Sequence, residues 1–308
     1  MRCWFDESSV KAPFFLSCFD LRVDFTAELC QIPYLDSRIP RWQVATVISV
    51  VNQKGGVGKT TTTVNLGAAM AARGKRVLLI DIDAQSNLTT HLGLGLKEDP
   101  LDLQDVPKQV PEWTVYDVLK GSKRLQDVII KRTDNLDVVP SSLLLSAADL
   151  ELGGMVGREL LLKRAIEKIR DQYDAILIDC PPTLGLLSLN ALAAVDKVVV
   201  PVQSEYLALH GVRQLLDTID QVRGIYNQSL VVGGVLICLH DSRKRLARAV
   251  ADTIRAYFGQ LVFTTIIREN VALAEAPAKG QTIFEYMPKS SGAEDYSALA
   301  EEILNVKA

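Results

Sequence analysis

The chain has 308 residues, is 48% hydrophobic and 23% charged, and carries a net charge of −3. That balance excludes a globally basic nucleic-acid binder, so any such contact has to come from a local patch. No apolar run is long enough to span a membrane, and five scattered cysteines (Cys3, Cys18, Cys30, Cys180, Cys238) lack the Cys-x-x-Cys spacing of a zinc site or a disulfide framework, which fits a reducing cytosol.

Residues 1–43 stand apart from the rest. They hold five of the eight Phe, two of the three Trp and three of the five Cys. The apolar stretch Pro13–Phe19 is short, and Asp20, Asp24 and Glu28 follow it, which argues against a secretory or organellar leader. The segment reads as a poorly ordered extension, with a docking arm as the alternative, and 44–308 as one domain.

Val44–Val51 reads as a strand. Lys54-Gly55-Gly56-Val57-Gly58-Lys59-Thr60 follows, and a helix runs from Gly58 to Arg73, closed by Gly74. Strand, glycine-rich turn and helix N-terminus in that order make a phosphate cradle, since glycines let backbone N–H groups converge on phosphate oxygens. Lys59 is placed to reach the β- and γ-phosphates of ATP, and the Thr60 hydroxyl to ligate Mg²⁺. Lys54 has no job in that scheme. Arg76–Asp81 is a buried strand ending at Asp81-Ile82-Asp83, and while the chain stays extended the two carboxylates share a face. One of them can orient an attacking water.

Further on, 97–112 is a polar connection, Leu136–Pro140 a short strand and Arg158–Asp171 a helix. Ala175–Asp179 is a strand whose terminal Asp179 is placed to hold Mg²⁺. Lys197–Val202 and Val231–Leu239 are strands, and Leu207–Arg223, Ser242–Phe258 and Tyr296–Val306 are helices. The alternation predicts an α/β fold like that of a P-loop NTPase, a mainly parallel sheet with helices on both faces. Its ligands sit at the carboxyl ends of the strands.

Asn52 to Thr62, Asp81-Ile82-Asp83-Ala84-Gln85-Ser86-Asn87, Asp179-Cys180-Pro181-Pro182, Pro201 to Tyr206 and Asn270 to Pro277 together resemble the ParA/Soj partition ATPases, within the MinD/ParA group with a deviant Walker A loop. The likeness covers roughly residues 46–305. It implies that Lys54 is the family's signature lysine, crossing to the partner's phosphates in an ATP-sandwich dimer. It also implies that Gly55, Gly56, Val57, Gly58, Lys59, Thr60 and Thr61 cradle the nucleotide. Thr60 binds Mg²⁺ with support from Asp179, and Asp83 positions the water. Glu205, in the segment 201–206, and Asn270 lie near the adenine. Ala84 and Ser86 stand where the family usually has Pro and Gly, and Arg268-Glu269 replaces a common Pro-Arg.

The cluster Arg243, Lys244, Arg245 and Arg248 opens the helix after Asp241-Ser242 and can contact successive duplex phosphates without reading bases. Arg213 and Arg223 extend it, while His91, His210 and His240 read as structural or incidental. The expected function is a weak, cytoplasmic, nucleoid-associated ATPase that dimerises on ATP, binds DNA non-specifically and answers to a ParB-type centromere-binding partner. The alternatives are a MinD-like membrane-associated regulator, disfavoured by acidic last turns, and a metabolic P-loop relative.

Overall fold

The computed structural model describes residues 45–95, 111–205 and 208–305. The extension 1–43, most of the connection 97–112 and Tyr206 lie outside the described residues. Seven strands form one sheet: β1 (Thr46–Val50), β2 (Val77–Asp81), β3 (Ile130–Lys131), β4 (Leu136–Val139), β5 (Ala175–Asp179), β6 (Lys197–Gln203) and β7 (Val231–Cys238). Their order is β3-β4-β2-β5-β1-β6-β7, parallel throughout except for β3 against β4. The helices are α1 (Lys59–Ala71), α2 (Asn87–His91), α3 (Val115–Leu119), α4 (Ala148–Glu151), α5 (Leu161–Glu167), α6 (Leu186–Ala194), α7 (Ala208–Ile225), α8 (Arg245–Phe258), α9 (Val271–Glu275), α10 (Ile283–Tyr286) and α11 (Ser291–Asn305).

Strands β1, β2 and β5 are buried along their whole length, as their continuous Val, Ile and Leu runs require of a parallel sheet covered on both sides. Alternate residues serve alternate faces. Ile48, Val50, Leu79 and Leu177 join the core with Val64, Leu66 and Met70 of α1, Ile283 of α10 and Tyr296, Leu299 and Ile303 of α11. Val47, Leu78, Ile80, Ile176 and Ile178 point the other way and are equally buried, beneath the layer in which α6 packs between α5 and α7. Gly67 lets α1 lie close on the sheet: a Cβ there would stand 2.5 Å from the Leu79 side chain.

Three expected elements need correction. The helix over Arg158–Asp171 is broken into a 3₁₀ turn at Arg158–Leu160, the two turns of α5, and a second 3₁₀ turn at Arg170–Gln172. There Arg170 donates to the Ala45 carbonyl at 3.0 Å and to Asp196 at 2.5 Å, a tertiary anchor that overrides helical continuation. The helix expected from Ser242 begins at Arg245. Asp241 accepts the Arg243 N–H at 3.0 Å and its guanidinium at 2.9 and 3.0 Å, holding the preceding residues in a turn. The closing helix begins at Ser291, five residues earlier than its apolar pattern suggests.

Candidate nucleotide site

Register brings the chemistry together. Val50 of β1 pairs with Asp179 of β5, and Asp179 pairs with Asp81 of β2, so three strands end level at one edge of the sheet. The loop after β1 leads over this edge into α1. Gly58 stands just before the first turn at φ 89°, in the left-handed region where a Cβ is strained. A Cβ at Gly55 or Gly56 would project into open space, and Gly56, at φ 72°, is itself left-handed.

Beside the loop lies a cavity of about 510 Å³ lined by Lys59, Thr60, Asp83, Asn270, Leu273 and Tyr296, among others. Lys59 is buried, and its ammonium donates to the Lys54 carbonyl at 3.1 Å, inside the loop. Burial lowers its pKa, and the charges of Asp179 and Asp83 oppose that shift. The Thr60 hydroxyl donates to Asp179 Oδ2 at 2.6 Å, and Thr63 donates to the other carboxylate oxygen at 3.4 Å. Burial, and then the Asp81 carboxylate beside it, raise the Asp179 pKa well above the usual carboxylate range. A buried oxygen pair of this kind suits a hard divalent cation. Among the described residues no cluster of three or more His, Cys, Asp or Glu forms a self-sufficient metal cage. The donors therefore fit an ion that keeps waters and phosphate oxygens in its shell, as Mg²⁺ does.

The two acids of Asp81-Ile82-Asp83 divide their work. Asp81 is fully buried and accepts the Thr89 N–H and hydroxyl at 2.9 and 2.7 Å and the Asp83 N–H at 3.1 Å. Burial lifts its pKa to about 6 against those hydrogen bonds. Its oxygens are committed to holding α2. Asp83 lines the cavity, with the Gln85 N–H on Oδ1 at 2.9 Å, which leaves Oδ2 for a water. Ser141 fastens the same turn, donating to the Asp83 carbonyl at 2.6 Å. Neither Thr89 nor Ser141 carries a sequence signal for this role: Thr89 reaches Asp81 from α2, and Ser141 reaches the Asp83 turn through the register of β2 and β4.

Lys54 does not point into the cavity wall. Its ammonium donates to Gln203 at 2.9 Å and forms an ion pair with Glu205. Gln203 in turn donates to the Gly56 carbonyl at 2.9 Å. Glu205 thus stands beside Lys54 and lines a neighbouring depression of about 200 Å³ with Leu239 and Lys244. Asn270 reaches the nucleotide cavity, but its Oδ1 caps α9 by accepting the Ala272 N–H at 2.8 Å, and its Nδ2 donates to Ser291 at 2.5 Å. His91 also lines the cavity; burial lowers its pKa to about 4, so it is neutral there.

The unusual residues also find places. Ser86 precedes α2 at φ 54°, a left-handed position that a glycine occupies without strain. Ser86→Gly is expected to raise stability by about 0.5–1 kcal/mol, the relieved strain exceeding the added chain entropy, and urea unfolding measures it. Arg268 forks onto Asp295 at 2.6 Å and Glu294 at 3.0 Å, and Glu269 pairs with Lys244 at 3.1 Å. Arg243, Lys244, Arg245 and Arg248 are all exposed. Asp241 and Glu269 offset part of their charge.

Known proteins resemble this chain closely. Residues 45–232 match a family described as an AAA domain. Over 83% of the chain it is 47% identical to the sporulation initiation inhibitor protein Soj of Bacillus subtilis, covering 97% of that protein. Over 82% it is 44% identical to the chromosome-partitioning ATPase Soj of Treponema pallidum, covering 95% of that protein. Among solved structures, cobyrinic acid a,c-diamide synthase from Mycobacterium smegmatis, with bound ADP and magnesium, superposes with a TM-score of 0.68 at 36% identity, over 83% of this chain and 92% of that one.

Proposed function

We propose, for a chain that belongs to the Soj/ParA family of chromosome-partitioning ATPases, a cycle in which ATP binding joins two protomers on DNA and slow hydrolysis releases them. Lys54 carries this reading. The phosphate work within one chain falls to Lys59, already inside the loop, whereas the Lys54 side chain is 38% exposed at the rim. A cation in that position serves a partner's nucleotide as an arginine finger does, in trans.

Thr60 and Asp179 are the residues to hold Mg²⁺, which when bound neutralises charge on the phosphate oxygens. Gly55, Gly56, Val57, Gly58 and Thr61 bring backbone N–H groups to the phosphates. Asp83 accepts a hydrogen bond from the attacking water. That water bonds to the γ-phosphorus as the bond to the β–γ bridging oxygen breaks, giving ADP and inorganic phosphate. A ParB-type partner accelerates the step. Asn270 acts on the base side of the cavity, whereas Glu205, expected beside the adenine as well, lines the neighbouring depression instead and acts through its ion pair with Lys54. A nucleoid-associated, cytoplasmic protein follows from this cycle. The membrane-surface alternative finds little support in α11, whose Tyr296, Leu299, Ala300 and Ile303 are spent in the core. Among the described residues no helix is long and apolar enough to cross a membrane.

DNA contact falls to Arg243, Lys244, Arg245 and Arg248. With ATP and Mg²⁺ the full chain is expected to bind unrelated duplexes with equal affinity. Arg245→Ala with Arg248→Ala should weaken all of them alike and flatten the salt dependence by about one unit of slope for each phosphate no longer neutralised. Fluorescence anisotropy across a salt series tests this. An unchanged slope, or no ATP-dependent binding by the native chain, removes DNA from the cycle.

A further inference from the structure

Two carboxylates stand inside the basic cluster that opens α8. The Lys244 ammonium donates to Glu269 Oε2 at 3.1 Å and lies 3.7 Å from Asp241 Oδ2. Asp241 belongs to the fold of the turn, where it is buried and accepts both the Arg243 N–H and its guanidinium. Glu269 is placed differently. Its side chain is 56% exposed, and it meets Lys244 at the surface.

The backbone fixes Glu269 in that position. Residues 267–269 run beside 239–241: the His240 N–H donates to the Ile267 carbonyl and the Glu269 N–H to the His240 carbonyl, each at 3.1 Å. Asp241 and Glu269 therefore come to the cluster from adjoining segments. Arg268, the neighbour of Glu269 in the chain, is spent on Asp295 and Glu294. The charge of Glu269 instead reaches two of the cluster's four cations, favouring the charged form of Lys244 and also that of Arg243.

We propose that Glu269 is a built-in competitor for DNA, occupying Lys244 as a phosphate would and so setting the affinity of the cluster for a duplex. The proposal rests on the DNA contact argued above and names the residue that limits it. A phosphate reaches Lys244 only by displacing the carboxylate, and it then lies beside the charge it has displaced. The first step costs the ion pair, and the second is a like-charge contact. Counterions follow the same logic. As the phosphate sheds its cation, the freed carboxylate attracts one, so the Lys244 contact adds little to the salt dependence while Glu269 is present.

Anisotropy titrations of the full chain with ATP and Mg²⁺ on an arbitrary duplex test this with Glu269→Gln, which keeps an acceptor oxygen and removes the charge. Asp134→Asn is the control. It changes the net charge equally from the turn between β3 and β4, at the opposite edge of the sheet from β7 and the α8 that follows it. Glu269→Gln is expected to bind DNA about three- to tenfold more tightly at about 0.1 M salt, and to steepen the salt dependence by about 0.9 unit of slope per protomer, the value for one more phosphate neutralised. Asp134→Asn should match the native chain. Sedimentation with ATP on the same samples should show dimer affinity unmoved. Native affinity in Glu269→Gln, an unchanged slope, an equal gain in Asp134→Asn, or a gain that tracks dimer affinity overturns the competitor and leaves DNA contact standing. A native chain that binds no duplex with ATP overturns both.

Discussion

Lys54→Ala leaves the monomer able to bind ATP and removes the ATP-dependent dimer, and with it partner-stimulated turnover, which falls by about 10³-fold or more, the usual worth of a cation supplied in trans. The separation follows from geometry. Lys59 and the glycine backbone form the phosphate cradle within one chain, and Lys54 contributes to it only through its carbonyl, which accepts from Lys59 at 3.1 Å and is kept by alanine. Lys59→Ala, by contrast, strips the cradle of its buried cation and should abolish nucleotide binding itself. The tether of Lys54 to Gln203 and Glu205 is no obstacle to crossing. Its two charged side chains are 38% and 60% exposed, and a solvent-screened pair of this sort is worth at most about 1 kcal/mol. Nucleotide-analogue titration and sedimentation on the same samples distinguish the outcomes. A Lys54→Ala chain that still dimerises with ATP and is still stimulated removes the lysine from the catalytic cycle.

Most of the sheet was legible because parallel strands buried on both faces read as largely apolar runs, and Thr46–Val50, Val77–Asp81 and Ala175–Asp179 are such runs. The phosphate loop was legible for a related reason: cradle, lysine and threonine act locally, within a few residues of one another. What escaped the sequence depends on distant partners. β3 is two residues long and exists only by pairing with β4. The break at 168–169 is set by Arg170 reaching Ala45 and Asp196. Periodicity placed Asp81 and Asp179 at strand ends but could not say that they pair in register, the fact that assembles the site. It likewise left Asp81 and Asp83 equivalent, since both belong to one extended segment. Thr89 breaks that symmetry by occupying Asp81 from a helix eight residues on. The basic cluster was visible as composition, but its compensation by Glu269, distant from it along the chain, was not.

That division of labour gives the second large effect. Asp83→Ala should slow hydrolysis by about 10²–10⁴-fold, the range for loss of a positioned proton acceptor, without loss of ATP binding. The phosphate cradle does not include Asp83, and the cost to the fold is the single Asp83–Gln85 hydrogen bond, about 1 kcal/mol. Binding and dimerisation then run forward while release does not, so the variant should accumulate as an ATP-bound dimer that stays on DNA. Asp81→Ala predicts the opposite pattern. It leaves the Thr89 N–H and hydroxyl and the Asp83 N–H without their buried acceptor, at a cost of about 1–3 kcal/mol for each group left unsatisfied, so its main effect is on stability and on the anchoring of α2. Phosphate-release kinetics on DNA, paired with urea unfolding of both variants, read the two axes separately. Rapid turnover in Asp83→Ala would take the water-positioning role from it. A turnover defect in Asp81→Ala with unchanged unfolding would move that role back along the chain, to the carboxylate that the structure shows fully engaged.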